Sequence, residues 1–141
     1  MMQTKTTPTR ILHTMLRVKD LQKSLDFYIN HLGMKILRRA DYPQGRFTLV
    51  FIGYGVETET TVLELTHNWD ETAYDKGSAY GHIALAVKNI YGMCDELSTQ
   101  GVTIARPPAP MAFDENEIIA FINDPDDYQI ELIEKPNIVA L

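Results

Sequence analysis

The chain of 141 residues contains a single cysteine, Cys94, and no long hydrophobic run. One cysteine excludes an internal disulfide bond, and this agrees with a reducing compartment. No apolar stretch approaches the roughly 18 residues of a transmembrane helix, and the polar first ten residues are not typical of a signal peptide. We therefore expect a cytoplasmic protein that has no membrane partner.

Positive charge is also scarce in this sequence. The chain has 13 Lys and Arg residues against 19 Asp and Glu residues, which gives a formal net charge of −6. Nucleic acids and anionic membranes bind basic surfaces, so the charge excludes both as main partners and favours a small ligand. The length and the 45% hydrophobic content are typical of one globular domain.

What the sequence does contain is an internal repeat. The pattern of Ile11 to Leu21 returns at Tyr80 to Ile90: a His opens a short apolar run, Val-Lys follows, and an Asp or Asn precedes a helical pattern. The hydrophobic periodicity after each copy predicts the order β-α-β-β-β. We therefore predict an α+β fold made of two βαβββ modules in tandem. The predicted boundaries are a flexible tail at 1–10, one domain at 11–135 with modules at 11–70 and 78–135, and a tail at 136–141.

Local signals place the individual elements. Asp20 and Asn89 are predicted helix N-caps, and Gly33 and Gly101 are predicted helix stops. The proline-rich stretch 107–116 is predicted to be a loop. Strands are predicted at 12–18, 35–41, 46–52 and 60–68 in the first module, and at 82–87, 102–106, 117–122 and 128–134 in the second.

A second repeat places one carboxylate inside a strand-like run of each module. Glu64 and Glu131 are both flanked by aliphatic residues, and each follows its module's His, His13 or His82, at a distance of about 50 residues. A carboxylate in such a setting is costly to bury without a cation. Two His and two Glu at matched positions therefore predict a metal site. Their N and O donors suit Ni(II), Zn(II), Co(II) or Mn(II), and two open coordination positions make such a site catalytic.

Two further polar residues accompany the predicted ligands. Strand alternation places Arg17 on the face of His13 and Asn68 on the face of Glu64. The Arg17 guanidinium can hold a substrate carboxylate near the metal, and an ordinary surface arginine is the alternative interpretation. Arg17 and Asn68 are therefore candidate substrate-binding residues.

The segments around these residues resemble glyoxalase I (lactoylglutathione lyase) of the vicinal oxygen chelate superfamily, in its short bacterial form. The resemblance runs from about Ile11 to Glu134 and includes Ala79-Tyr80-Gly81-His82 and Ile130-Glu131-Leu132. It implies a homodimer with eight-stranded, cup-shaped sheets and active sites at the subunit interface. His13 and Glu64 of one subunit then meet His82 and Glu131 of the other around one divalent metal, with Ni(II) expected first and Co(II) or Zn(II) as alternatives.

The resemblance also implies a reaction. The substrate is the hemithioacetal of methylglyoxal and glutathione, and a proton moves from C1 to C2 through an enediolate to give S-D-lactoylglutathione. The metal neutralises the developing enediolate oxygens. Glu131 and Glu64 are the implied proton carriers, and Arg17 and Asn68 match positions that bind the γ-glutamyl end of glutathione.

Two departures from the family pattern leave alternatives open. The stretch 112–116 has two acids where relatives carry a Lys-Gly-rich loop, so another thiol such as trypanothione is an alternative to glutathione. Asp127 stands where relatives have Gly, and a positive φ is expected there. A methylmalonyl-CoA-epimerase-like enzyme and a non-catalytic, drug-sequestering protein of the same fold are further alternatives.

Overall fold

The computed structural model describes residues 5–141, so residues 1–4 of the predicted N-terminal tail lie outside the described residues. Both modules have the predicted order β-α-β-β-β. The first contains β1 (His13–Arg17), α1 (Leu21–Leu25), a π-helical segment (Asp26–His31), β2 (Lys35–Tyr42), β3 (Phe47–Gly53) and β4 (Val62–Asn68). The second contains β5 (Ile83–Val87), α2 (Ile90–Thr99), β6 (Ile104–Met111), β7 (Asp114–Asn123) and β8 (Gln129–Glu134).

Each module forms a four-stranded mixed sheet. The strand order is β1-β4-β3-β2 in the first sheet and β5-β8-β7-β6 in the second. β1 is parallel to β4 and β5 is parallel to β8, whereas the other neighbours are antiparallel. The strand that opens each module is therefore an edge strand, and its neighbour is the strand that closes the same module.

Local signals begin and end the helices as predicted. The side chains of Asp20 and Asn89 each accept a hydrogen bond from a backbone N–H three residues later, at 3.1 Å. These bonds satisfy donors that the first turn of a helix leaves free. Gly33 and Gly101 reverse the chain at φ angles of 73° and 86°. No helix within residues 5–141 has the length and apolar character needed to cross a membrane.

The first helix differs from the predicted regular helix in its second half. It is α-helical as far as Leu25 and π-helical over Asp26–His31. The N–H of Leu32 donates to the carbonyl of Phe27, five residues back, at 3.2 Å. This wider turn accompanies the burial of two consecutive aromatic side chains, Phe27 and Tyr28.

Residues of both modules share one buried core. Leu16 and Leu65 come from the first sheet, Leu97 from α2 and Leu132 from β8. A large aliphatic side chain buried in this way contributes about 1.5–3 kcal/mol to the free energy of unfolding. On β1 only Leu16 is buried, so the strand's other face, which carries His13, stays open.

The prediction of a loop at 107–116 is wrong, because β6 and β7 continue through most of that stretch. β6 is the outer strand of its sheet, where a proline interrupts no further strand pairing. The Arg106 guanidinium donates to the carbonyl of Ile119 on the neighbouring strand β7 at 2.9 Å and to that of Pro110 on β6 itself at 3.1 Å. A side chain thus supplies donors that the proline rings lack.

Asp127, in the turn between β7 and β8, has a φ of 62°, and this confirms the expected positive φ. The left-handed region costs a residue with a Cβ atom about 1 kcal/mol, and Gly avoids that cost. We expect Asp127→Gly to raise the free energy of unfolding by about 0.5 kcal/mol in urea titrations. Asp127→Ala, which keeps the Cβ atom, should not stabilise the protein. An Asp127→Gly protein that is less stable than the wild type would contradict this interpretation.

Candidate metal centre

His13 and Glu64 lie side by side on neighbouring strands of the first sheet. Glu64 on β4 is paired in register with Met15 on β1, so its side chain shares a face with that of His13. The Nε2 atom of His13 is 2.9 Å from Oε2 of Glu64. The His13 side chain is 35% exposed and the Glu64 side chain 13%, so the pair is open to solvent mainly on the imidazole side.

His82 and Glu131 repeat this arrangement in the second sheet. β5 pairs Ala84 in register with Glu131 of β8. The Nε2 atom of His82 is 3.3 Å from Oε1 of Glu131. Ala84 is exposed and small, so it leaves space in front of the pair. Each module therefore presents one imidazole nitrogen and one carboxylate oxygen on an open face.

An aromatic ring supports each His, although the sequence interpretation did not include these rings. The rings of His13 and Phe51 meet edge to face at 5.3 Å, and those of His82 and Phe121 do the same at 5.3 Å. Each Phe is paired in register with the Glu of its module. The internal repeat in the sequence marks both rings, because Phe51 and Phe121 are each followed by Ile in the strand that precedes the Glu-bearing strand of their module.

The donor set fits a divalent metal. Imidazole nitrogen and carboxylate oxygen are common ligands of first-row divalent ions, and the donors of each pair already converge. The structure brings His13 together with Glu64, and His82 together with Glu131. It does not unite the two pairs, because within residues 5–141 of one chain no three His, Cys, Asp or Glu side chains form a potential metal site.

Arg17 and Asn68 lie farther along the same face of the first sheet. Arg17 is exposed and follows His13 by four residues on β1, about 13 Å along an extended strand. Asn68 ends β4, and its Nδ2 donates to the hydroxyl of Tyr74 at 3.1 Å. Tyr74 lies in the segment that joins the modules, where the sequence has no repeat to mark it.

Arg38 on β2 makes a charged contact that the sequence interpretation also missed. Its guanidinium carbon lies 3.6 Å from the centre of the Phe51 ring. The same guanidinium donates to both carboxylate oxygens of Glu57, at 2.8 and 3.1 Å. This bidentate bond lowers the pKa of Glu57 and raises the pKa of Arg38. Arg38 therefore covers the ring that supports His13.

A buried carboxylate network joins the two modules. Asp124, in the turn between β7 and β8, accepts a hydrogen bond from the Tyr28 hydroxyl at 2.6 Å. It also accepts from the backbone N–H groups of Asp126 and Tyr128, at 2.8 and 2.9 Å. Asp126 in turn accepts from the N–H of Lys19, just after β1, at 3.0 Å. Burial raises the pKa of Asp124, and burial together with the Asp124 charge raises the pKa of Tyr28.

Comparisons with known proteins relate this geometry to a family. The family model described as Glyoxalase/Bleomycin resistance protein/Dioxygenase superfamily matches residues 10–132. A lactoylglutathione lyase of Neisseria meningitidis serogroup A is 60% identical over 126 residues, which cover 89% of this chain and 91% of that protein.

Two solved structures share the fold. The crystal structure of glyoxalase I from Zea mays superposes with a TM-score of 0.86 at 37% identity, and the match covers 91% of this chain and 45% of the maize chain. The trypanothione-dependent glyoxalase I of Leishmania major has a TM-score of 0.81 at 45% identity, and the match covers 90% of this chain and 87% of that chain.

Proposed function

The chain belongs to the glyoxalase/bleomycin resistance protein/dioxygenase superfamily, and on that premise we propose that it is a lactoylglutathione lyase. It isomerises the hemithioacetal of methylglyoxal and glutathione to S-D-lactoylglutathione. The observation that carries this proposal is the His–Glu pair that occurs once in each module, with the same strand pairing and the same aromatic support. The 60% identity to a lactoylglutathione lyase, over most of both chains, supports it.

We propose that His13, Glu64, His82 and Glu131 hold one divalent metal per site. When bound, the metal is a Lewis acid that stabilises negative charge on the adjacent substrate oxygens. Two imidazoles and two carboxylates suit Ni(II), Co(II) and Zn(II). We propose Ni(II) first, because the short chain resembles the bacterial form of the family.

We also propose a homodimer with its active sites at the subunit interface. Within residues 5–141 the two donor pairs of one chain do not meet, and each pair borders an edge strand, β1 or β5. A two-fold arrangement that sets β1 of one subunit beside β5 of the other brings the His13–Glu64 pair of one subunit next to the His82–Glu131 pair of its partner. The two-fold symmetry produces two such sites in each dimer. Each joined sheet then has eight strands.

Glu131 is the proposed proton carrier. The reaction moves a proton from C1 of the hemithioacetal to C2, and the hydroxyl proton of the C1 oxygen moves to the C2 oxygen, which leaves a thioester without net oxidation. A carboxylate oxygen of Glu131 takes the proton and returns it to the neighbouring carbon. The Glu131 side chain is only 13% exposed, so few water molecules compete for that proton. Glu64 holds the matched position in the other module, from which it acts on the opposite face of the substrate.

Arg17 and Asn68 are proposed to bind the γ-glutamyl end of glutathione. The exposed Arg17 guanidinium matches a carboxylate with two parallel hydrogen bonds. The Nδ2 of Asn68 donates to the Tyr74 hydroxyl, and the amide oxygen of Asn68 can accept from the substrate's ammonium group.

Turnover by metal-stripped protein, refilled separately with Ni(II) and Zn(II), tests the proposed reaction. We expect stripping to abolish thioester formation from preformed hemithioacetal, because the cation no longer offsets charge on the reacting oxygens. Ni(II) should restore more activity than Zn(II). Methylmalonyl-CoA serves as the control substrate and should not epimerise. If both metals bind stoichiometrically and neither restores thioester formation, the proposed reaction is wrong.

A further inference from the structure

A small recess lies beside Arg17, between the end of β1 and the segment that joins the two modules. We call it the linker recess. Its volume of about 20 Å³ is room for about one oxygen atom. The residues that line it are Arg17, Lys19, Tyr74, Lys76, Asp126 and Tyr128.

Positive charge is concentrated in the linker recess. Arg17, Lys19 and Lys76 line it, and within residues 5–141 none of their charged nitrogens lies within 4.0 Å of a carboxylate oxygen. Among the described residues that line the recess, Asp126 is the one carboxylate, and it accepts from the Lys19 backbone N–H and from the Ser24 hydroxyl. In a chain with a net charge of −6, such a group of cations is suited to an anionic ligand.

Contacts with the second module hold Lys76 in place. Its Nζ donates to the carbonyl oxygen of Asp126 at 2.9 Å and lies 5.5 Å from the centre of the Tyr128 ring. The Tyr128 hydroxyl donates to the carbonyl oxygen of Arg17 at 2.9 Å, so the ring is fixed as well. Two ammonium hydrogens of Lys76 remain available for a ligand. A side chain that is already ordered loses less entropy on binding.

Tyr74 adds a hydroxyl donor to the same recess. Its oxygen accepts from Nδ2 of Asn68, and its own O–H, which has no acceptor within residues 5–141, can donate to a ligand. A γ-glutamyl group carries an α-carboxylate and an α-ammonium on one carbon atom. The cations and the Tyr74 hydroxyl match the carboxylate, and the Asn68 amide oxygen matches the ammonium.

We propose that Tyr74 and Lys76 are specificity-determining residues that bind the α-carboxylate of the substrate's γ-glutamyl end together with Arg17. This assignment rests on the proposed function. It gives the segment between β4 and β5 a role in selecting the thiol, in addition to joining the modules.

Steady-state kinetics of Lys76→Gln with three hemithioacetals tests the assignment. The thiols are glutathione, γ-glutamylcysteine, which lacks the glycine, and N-acetylcysteinylglycine, in which an acetyl group replaces the γ-glutamyl group. We expect KM to rise about 10-fold for the first two with kcat within about twofold, because the lost contact is made equally in the ground state and the transition state. For N-acetylcysteinylglycine, KM should equal the wild-type value. Tyr74→Phe should show the same selectivity with a smaller rise.

A binding measurement and two further variants complete the test. The Kd of S-methylglutathione, measured by calorimetry, should rise with KM in Lys76→Gln, recover in Lys76→Arg and stay unchanged in Lys35→Gln, an exposed control. An equal KM rise for N-acetylcysteinylglycine would show a general structural effect and overturn the assignment. The assignment would also be overturned if Lys76→Gln left the KM for the glutathione hemithioacetal unchanged. The same holds if the variant raised KM for glutathione but not for γ-glutamylcysteine. A wild-type protein that converts none of the three hemithioacetals would instead overturn the proposed function, and this assignment with it.

Discussion

Replacing Glu131 by Gln is expected to lower kcat for the glutathione hemithioacetal by about 10²–10⁴-fold, the usual contribution of a positioned acid–base group. The amide matches the carboxylate in shape, so the packing against Phe121 and the strand pairing of β8 should persist. It cannot take a proton from carbon at neutral pH, so the transfer step should fail. The measurement is turnover at saturating substrate, with metal content determined on the same samples.

Two further variants show whether the lower kcat results specifically from the loss of the Glu131 carboxylate. Glu96→Gln changes an exposed acid on α2 and should keep wild-type turnover. Glu64→Gln changes the matched carboxylate of the first module and reveals whether the two differ in their share of the proton transfer. Near-normal kcat in a metal-loaded Glu131→Gln protein would show that Glu131 is not the proton carrier.

Asp124→Ala is expected to lower the free energy of unfolding by about 3 kcal/mol, because it leaves three hydrogen-bond donors without their acceptor. One donor is the Tyr28 hydroxyl, and the other two are backbone N–H groups of the turn between β7 and β8. Urea titration followed by circular dichroism measures the change. Asp95→Ala, an exposed acid on α2, is the control and should stay within about 0.5 kcal/mol of the wild type.

The pH dependence of unfolding checks the same network independently. Burial raises the pKa of Asp124 above its unfolded value, so protonation of the folded state is favoured. The contribution of Asp124 to the free energy of unfolding is fully present below its pKa in the unfolded state. It is lost as pH rises through its pKa in the folded state. As pH rises from the unfolded-state pKa of Asp124 through its folded-state pKa, the wild type should lose more stability than Asp124→Asn, whose side chain does not titrate. Parallel pH profiles for the two proteins would contradict this account of Asp124.

The features that the sequence predicted depend on local chemistry or on the repeat. Asp20 and Asn89 cap helices through their own side chains, and Gly33 ends a helix through its own backbone freedom, so a short window suffices to find them. The pairing of each His with its Glu was accessible because duplication placed the residues at matched positions.

The features that the sequence did not predict depend on residues that are distant along the chain. Tyr28 and Asp124 are 96 residues apart, and neither sits in a recognisable motif with the other. The prolines of β6 argue against a strand in the sequence alone. They are tolerated because β6 lies at the edge of its sheet and because the Arg106 guanidinium donates to the carbonyl of Ile119. Tyr74 appears beside Asn68 only after the segment between β4 and β5 has folded back.

The outer strands of the two sheets also affect how the protein behaves at high concentration. An exposed strand edge can recruit another chain and start aggregation. β6 discourages this with prolines that lack an N–H, and β2 does so with charge from Lys35, Arg38, Arg39 and Asp41. The edge strands β1 and β5 contain no proline, and they are the edges that the proposed subunit pairing uses.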